Sequence, residues 1–377
     1  MNTKKCLIWT ISFIILVVFP YTTYPFLKSY LSSLDYEKRN AAYTYVYHGE
    51  YYDTTDYSSI SSETPSFVLD STLPRQIDTY TEDSIPYKKL LIMVNSMLHY
   101  YILNQSTNSS VIIGSDDWLF FKDATSKYSY DYHFSEAELE LILNNLQGIQ
   151  KNFQDNEKEL VIFIAPNKET IYSEYLPSNI NVDINLSPAV QLVNYLNENS
   201  TIKVIFPVKD LMNAKEKYPE LVLYHKLDTH WNNAGGYIAA QSLVKELGKE
   251  LPNIDTLKID TLVFSSSDLT HMIGMPIKNA TTEYIISSYG EESTVLDHWD
   301  YYDYFMFHNP HESQNLIMYR DSFASALSQP LSTKFGNSLY PLSGSNFDLV
   351  YSHNADIVIF EFVERNIHNI KELKLNK

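Results

Sequence analysis

The sequence predicts an α/β protein with a mostly parallel sheet covered by helices on both faces. Short, continuous apolar runs recur at residues 160–165, 203–208, 221–224, 316–319 and 356–360. Stretches with helical spacing separate most of them. Strands that are apolar throughout are buried on both faces, and helical crossovers between them make a parallel sheet. The third observation is where the polar clusters fall. Pro166-Asn167-Lys168, Asp228-Thr229-His230-Trp231 and Asp321-Ser322 each come just after an apolar run. In open parallel sheets ligands meet the carboxyl ends of the strands.

The chain begins with Lys4 and Lys5 ahead of an apolar run from Cys6 to about Pro25, uncharged from Leu7 to Phe19. A basic flank before an apolar segment is the pattern of an export signal or a membrane anchor. No small-x-small cleavage site follows, so residues 1–27 read as an uncleaved transmembrane anchor with the remainder outside the cytoplasm. Residues 28–74 are rich in Tyr, Ser, Thr and Asp with little periodicity, and read as a juxtamembrane spacer. Residues 75–377 form the folded domain. Residues 87–103 carry apolar residues at helical spacing, but Lys88, Lys89, Asn95 and His99 interrupt them. That segment is a packing helix, not a second span. Residues 111–121 read as a hairpin turning at Gly114-Ser115-Asp116-Asp117.

The rhythm then becomes strand and helix in turn. Helical spacing runs over residues 135–154, before the strand at 160–165. Ser187 and Pro188 mark the cap and first position of a helix. After strand 203–208 come a short helix from Asp210, a strand at 221–224 and a helix over 234–247. Asn232 or Asn233 caps that helix, and Gly235-Gly236 lets its first turn pack closely on the sheet. An irregular insertion precedes the strand at 316–319, and the strand at 356–360 closes the series.

Composition narrows the function classes. The formal charge of −18 argues against nucleic acid or an anionic lipid surface as the main partner, but leaves a neutral or cationic glycan open. Cys6 is the one cysteine, which excludes an intrachain disulfide and makes no case for a Cys-ligated metal. The 31 tyrosines fit sugar stacking or codon bias equally.

The chemistry centres on two stretches, Leu227–Gly236 (LDTHWNNAGG) and Asn315–Leu327 (NLIMYRDSFASAL). Ser322 falls where a strand gives way to a helix, beside unpaired N–H groups and the positive end of a helix dipole. A serine hydroxyl needs an imidazole to take its proton and a carboxylate to hold that imidazole. Asp228 and His230 can supply both from one loop. Each stretch taken alone also fits a helix cap. Asp297-His298-Trp299 imitates the first motif but leads into a Tyr-rich run, as a surface or glycan-contact loop would. His308 and His311 lack a supporting carboxylate cluster, so they read as solvated loop histidines, and no metal is expected. Glu361 and Arg365 read as a structural ion pair or as support at the site edge. The Asn-x-Ser/Thr sequons fit chance in so polar a chain.

Together the motifs resemble the AlgX/AlgJ-like and DHHW groups of SGNH-hydrolase-like proteins, which O-acetylate extracellular polysaccharides. The matching stretches are, in order, Asp83 with Pro86; Trp118-Leu119-Phe120; Pro166 to Tyr172; Asp228-Thr229-His230-Trp231; Asp268-Leu269 with Met272-Ile273-Gly274; Arg320-Asp321-Ser322-Phe323; and Asp356 to Asn366. The resemblance covers about residues 75–370. It implies a flavodoxin-like, three-layer αβα SGNH fold whose acid–base block precedes the nucleophile. Ser322 is then the nucleophile, His230 the base and Asp228 its orienting carboxylate. Beside the triad, Arg320, Lys168 and Trp231 are candidate substrate contacts, while Trp231 also reads as packing beneath its loop and Lys168 as a surface lysine. Two departures stand out. Thr229 replaces the second His of the DHHW pattern, where it is expected to point away harmlessly. Arg320 replaces the glycine before Asp-Ser, which leaves the oxyanion hole open.

The expected activity is an extracytoplasmic polysaccharide O-acetyltransferase without a cofactor. It would take acetyl groups from a multispanning membrane O-acyltransferase. The same triad could serve a carbohydrate esterase, and the same fold a non-catalytic glycan-binding scaffold of an export complex.

Overall fold

The computed structural model describes residues 88–128, 132–264, 267–275, 281–300, 303–342 and 347–374, with short pieces at 18, 22–23, 44–47 and 50–53. Nearly all of the expected anchor and spacer, with Asp83 and Pro86, lies outside the described residues. Among the described residues no helix is long and apolar enough to cross a membrane.

The first helix of the domain, α1 (Lys88–Leu98), runs into a wider turn at His99–Leu103. It packs on the domain only in part: Ser96 and Tyr100 are buried, while Leu91, Ile92, Val94, Met97 and Leu98 stay exposed. The expected hairpin follows as β1 (Val111–Ile113) and β2 (Leu119–Phe121), antiparallel. Next come α2 (Glu136–Gln154), β3 (Glu159–Ala165), α3 (Pro188–Asn199), β4 (Lys203–Ile205), α4 (Val208–Lys217) and α5 (Asn233–Glu246). Ser135 and Glu138 form a reciprocal capping box on α2, and Ser187 caps α3 ahead of Pro188.

Two sequence expectations fail in this stretch. The apolar run at 221–224 does not join the sheet; Tyr224 makes only an isolated bridge to Trp231. Three residues of the 203–208 run are ladder, because Pro207 has no N–H to give and stands at the cap of α4.

The insertion is regular after all. β5 (Lys258–Phe264) and β6 (Thr281–Ser287) form a separate antiparallel hairpin, while β7 (Val295–Trp299) and β8 (Tyr304–His308) extend the main sheet. The chain continues through β9 (Leu316–Tyr319), α6 (Ala324–Ser332), β10 (Asn337–Pro341) and β11 (Ile357–Val363). Among the described residues the main sheet has seven strands in the order β4-β3-β11-β9-β10-β8-β7. The first five run parallel and the last two antiparallel.

Both faces of the parallel part are buried. Along β9, Leu316 and Met318 join one core with Leu243, Leu327 and Leu331 of α5 and α6. Ile317 and Tyr319 join the other with Ile142, Leu146 and Leu192 of α2 and α3. This alternation is what an apolar run sandwiched between helices produces. β9 sits centrally, and its carboxyl end delivers Arg320, Asp321 and Ser322.

Candidate active site

The turn that carries Ser322 is built by carboxylates that bind backbone. Asp321 spans the gap between strands: one oxygen accepts the Phe323 N–H and the other the Val363 N–H, each at 2.8 Å. Its own N–H donates to Glu361 at 2.6 Å. Asp321 therefore shapes the turn, and Ser322 is left half-buried at the mouth. Glu361 is buried beside Asp321; burial and that neighbouring charge push its carboxyl well above the ordinary range. It makes no ion pair with Arg365 among the described residues. The Arg365 guanidinium lies 5.1 Å from the Phe323 ring centroid.

Opposite Ser322 lies the acid–base loop between α4 and α5. His230 Nε2 is 2.7 Å from Ser322 Oγ, and its Nδ1 is 2.7 Å from Asp228 Oδ1. An Nδ1 that donates to a carboxylate leaves Nε2 as the acceptor for the serine hydroxyl, the tautomer a base needs. The His230 N–H also donates to Asp228 Oδ1, at 3.0 Å, and the Asp268 N–H to Asp228 Oδ2, at 2.7 Å. Burial opposes charge on both members of the pair, but their mutual attraction prevails. The Asp228 carboxyl is held far below its usual range, and the His230 imidazole is lifted above its own. The His230 side chain is 29% exposed, so it remains reachable from solvent.

Trp231 ties the two loops together. Its indole N–H donates to the Phe323 carbonyl at 2.8 Å, and its ring packs between Tyr224 and Phe323. Asn232 caps α5 through the Ala234 and Gly235 N–H groups. The two glycines serve contacts other than the sheet: a Cβ on Gly235 would lie 2.3 Å from the Leu223 carbonyl oxygen, and one on Gly236 2.6 Å from Ala326 Cβ. The second contact seats α5 directly on α6, the helix that follows the nucleophile.

The three expected substrate contacts are all buried. Lys168 has no exposed surface, and its ammonium donates to the carbonyls of His225 and Lys226 at 3.2 Å and of Asp228 at 2.6 Å. Burial drops its pKa to about 8 against the pull of Glu169, Asp268 and Asp228. Arg320 is equally enclosed, donating to the Tyr340 carbonyl and lying 3.8 Å from the Phe305 ring centroid. Trp231 is 2% exposed. Each side chain is long enough to reach the core from a strand end or loop, which residue type alone does not reveal.

The decoys fall elsewhere. Asp297-His298-Trp299 lies on β7 at the sheet edge, not in a loop, with His298 stacked on Tyr304. His308 Nδ1 lies 3.0 Å from Asn337 Oδ1. Asp228, His230 and Asp268 bring ligand-capable atoms within 4.8 Å of one another. Their oxygens already accept backbone N–H groups, the Thr229 hydroxyl and Nδ1, so the donor set is spent on itself.

Sequence reasoning missed the buried supports. Glu364 accepts from Asn167 N–H, the Thr170 hydroxyl and the Ser187 hydroxyl, fixing the turn that carries Lys168. Glu169 accepts the Phe121 N–H, which ties the hairpin to that turn. The signal was the placement of these acids next to strand ends, where a buried carboxylate has backbone donors to satisfy it.

The model of the SGNH hydrolase-like domain of acetyltransferase AlgX matches residues 111–280. A probable alginate O-acetylase AlgJ of Pseudomonas putida is 24% identical over 188 residues, 48% of this chain and 45% of that protein. Its counterpart from Pseudomonas syringae pv. tomato is 22% identical over 196 residues, 52% of this chain and 48% of that protein. The chain thus spans about half the length of the curated relatives it matches. Among solved structures, Bacillus cereus PatB1 superposes with a TM-score of 0.51 at 17% identity, over 69% of this chain and 96% of its own. Its sulfonyl adduct gives 0.52 at 16% identity, over 70% and 97%. At these identities the likeness establishes the fold.

Proposed function

We propose that this chain, an AlgX/AlgJ-like protein with an SGNH hydrolase-like domain, is an O-acetyltransferase acting on a polysaccharide. The observation that carries the reading is the continuous Ser322–His230–Asp228 relay, both links at 2.7 Å. The names of the matched relatives supply the acetyl group and the glycan.

Ser322 Oγ attacks the acetyl carbonyl while its proton passes to His230 Nε2. The leaving group takes that proton as its bond to the acetyl carbon breaks, and the acetyl group stays on Ser322 as an ester. A sugar hydroxyl then gives its proton to Nε2 and attacks the ester, and Ser322 Oγ leaves with the proton. Asp228 holds the imidazole and offsets the imidazolium charge at each step. Among the described residues the Ser322 N–H takes no protein acceptor. It is available to the oxyanion of each tetrahedral intermediate. The domain works outside the cytoplasm, tethered by residues 1–27, and a multispanning membrane O-acyltransferase passes it the acetyl group.

Mass spectrometry of the protein with an activated acetyl ester should find one acetyl group on Ser322, absent in Ser322→Ala. Undiminished polymer acetylation by cells carrying Ser322→Ala would sink the proposal. Transfer to water at an unchanged rate when glycan is added would reassign the protein as an esterase.

A further inference from the structure

We infer that Asp268 and Thr229 form a second carboxylate clamp on the general base, and that Asp268 is a positioning residue for His230. The inference rests on the acyl-transfer reading of the site and adds a residue to it.

Five contacts place it. The Asp268 N–H donates to Asp228 Oδ2, the oxygen that does not face the imidazole. The Asp268 carboxylate accepts the Thr229 N–H at 2.9 Å and the Thr229 hydroxyl at 2.5 Å. Asp268 Oδ2 lies 3.7 Å from His230 Nδ1. Thr229 Oγ1 itself lies 3.4 Å from the same nitrogen. Thr229 does not point away from the site, as its place between Asp228 and His230 had suggested. Its hydroxyl fills the angle between the imidazole and the second carboxylate, and donates a hydrogen bond to Asp268.

Geometry makes this more than a loop contact. Asp268 opens a short helix, Asp268–Met272, which Ser267 already caps through the Thr270 N–H. Its carboxylate is therefore not needed as that helix's cap. It is turned instead to Thr229, between the triad acid and base, in a loop closed by the bridge from Tyr224 to Trp231. Asp268 thus fixes Asp228 through its backbone and Thr229 through its side chain.

Electrostatics point the same way. The groups facing this cluster are Asp228 beside the imidazole, the Lys168 ammonium under the loop, His225 with Glu283 behind it, and Arg365 across the turn. Of these, Asp228 and Asp268 favour the imidazolium, and Arg365 opposes it. Burial, reinforced by the nearby Asp228 charge, lifts the Asp268 carboxyl to about 6. It is mostly ionised at neutral pH and supports a positive charge on His230.

The test compares wild type with Asp268→Asn and Thr229→Val in the rate at which an aryl sulfonyl fluoride or 4-nitrophenyl acetate modifies Ser322, between pH 5 and 9. The asparagine carbonyl can still accept from Thr229, so the fold is retained, and a thermal melt checks it. Asp268→Asn should slow modification about tenfold on the alkaline plateau and move the acidic limb to lower pH, because a weaker base titrates earlier. Thr229→Val should slow modification by a smaller factor, and Asp268→Glu should restore part of the loss. An acidic limb unmoved in Asp268→Asn, with a rate within twofold of wild type, would overturn the inference. Wild type that is not modified at Ser322 at all would overturn the acyl-transfer reading instead, so the two failures are told apart.

Discussion

Replacing Lys168 by methionine tests how the acid–base loop is fastened. The ammonium donates to three carbonyls in the loop and packs near the Trp118 and Phe120 rings. Methionine fills much of the volume but leaves three buried acceptors short of a partner. Hydrogen bonds from a charged donor contribute about 1.5–3 kcal/mol each, and enclosing the ammonium offsets much of that sum. A net loss of about 1–3 kcal/mol at pH 7 follows. The pH dependence is the sharper signature. Lys168 titrates at about 8 in the fold against an ordinary value of 10.5. Between those values the unfolded chain binds the proton and the folded one does not, so this group makes stability rise with pH. The wild-type advantage over Lys168→Met should therefore grow by up to about 3 kcal/mol from pH 8 to 10.5, at about 1.36 kcal/mol per pKa unit. Urea titrations of both proteins at pH 7, 8, 9 and 10 read this as a difference in which the tyrosines cancel. A gap that is flat or shrinking over that range would refute the reasoning.

Other expectations concern the joints between loops. Gly236→Ala puts a methyl 2.8 Å from the Ala326 carbonyl oxygen, as well as against its Cβ, and should destabilise by about 2–3 kcal/mol while slowing Ser322 acylation; a melt within a degree of wild type would count against the α5–α6 contact. Asp321→Asn sets an amide NH2 against an N–H, either Phe323's or Val363's, and should cost about 1–3 kcal/mol by chemical unfolding. Trp231→Phe keeps the ring but strips the donor from the Phe323 carbonyl; a stability loss of about 1 kcal/mol and a lower acylation rate should appear together. His230 must be neutral to accept the serine proton and its pKa is raised, so acylation should fall with a midpoint above pH 6.5 as the pH drops.

The triad and the parallel core were legible because both are written in local patterns. Buried strands such as 316–319 announce themselves as unbroken apolar runs, and Ser322 follows one of them directly. What the pattern hid was direction. Lys168, Arg320 and Trp231 have long side chains that can turn inward or outward from the same backbone position, and the surrounding carbonyls and rings decide. The apolar run at 221–224 is as strand-like as any, yet Trp231 and Asn232 bind it across the loop, away from the main sheet. The edge strand β7 was hidden for a different reason: Asp297 and His298 give it the polarity of a loop.

The place of β11 in the sheet sets an order of assembly. β9, whose carboxyl end leads to Ser322, pairs with β10 and β11, both later in the chain. β11 also pairs along seven residues with β3, from Ile357–Glu159 to Val363–Ala165. It is the seam joining the early half of the sheet to the late half, and comes after the other six strands of that sheet in the chain. A chain that emerges from a ribosome or a translocation channel amino end first can form β3 with β4, and β9 with β10, before that seam exists. Asp321 is held by Val363 and Glu361 of β11, so the turn that carries Ser322 gains those two supports only once residues 357–363 are in place. Until then both edges expose unpaired backbone, so slow emergence favours aggregation over activity.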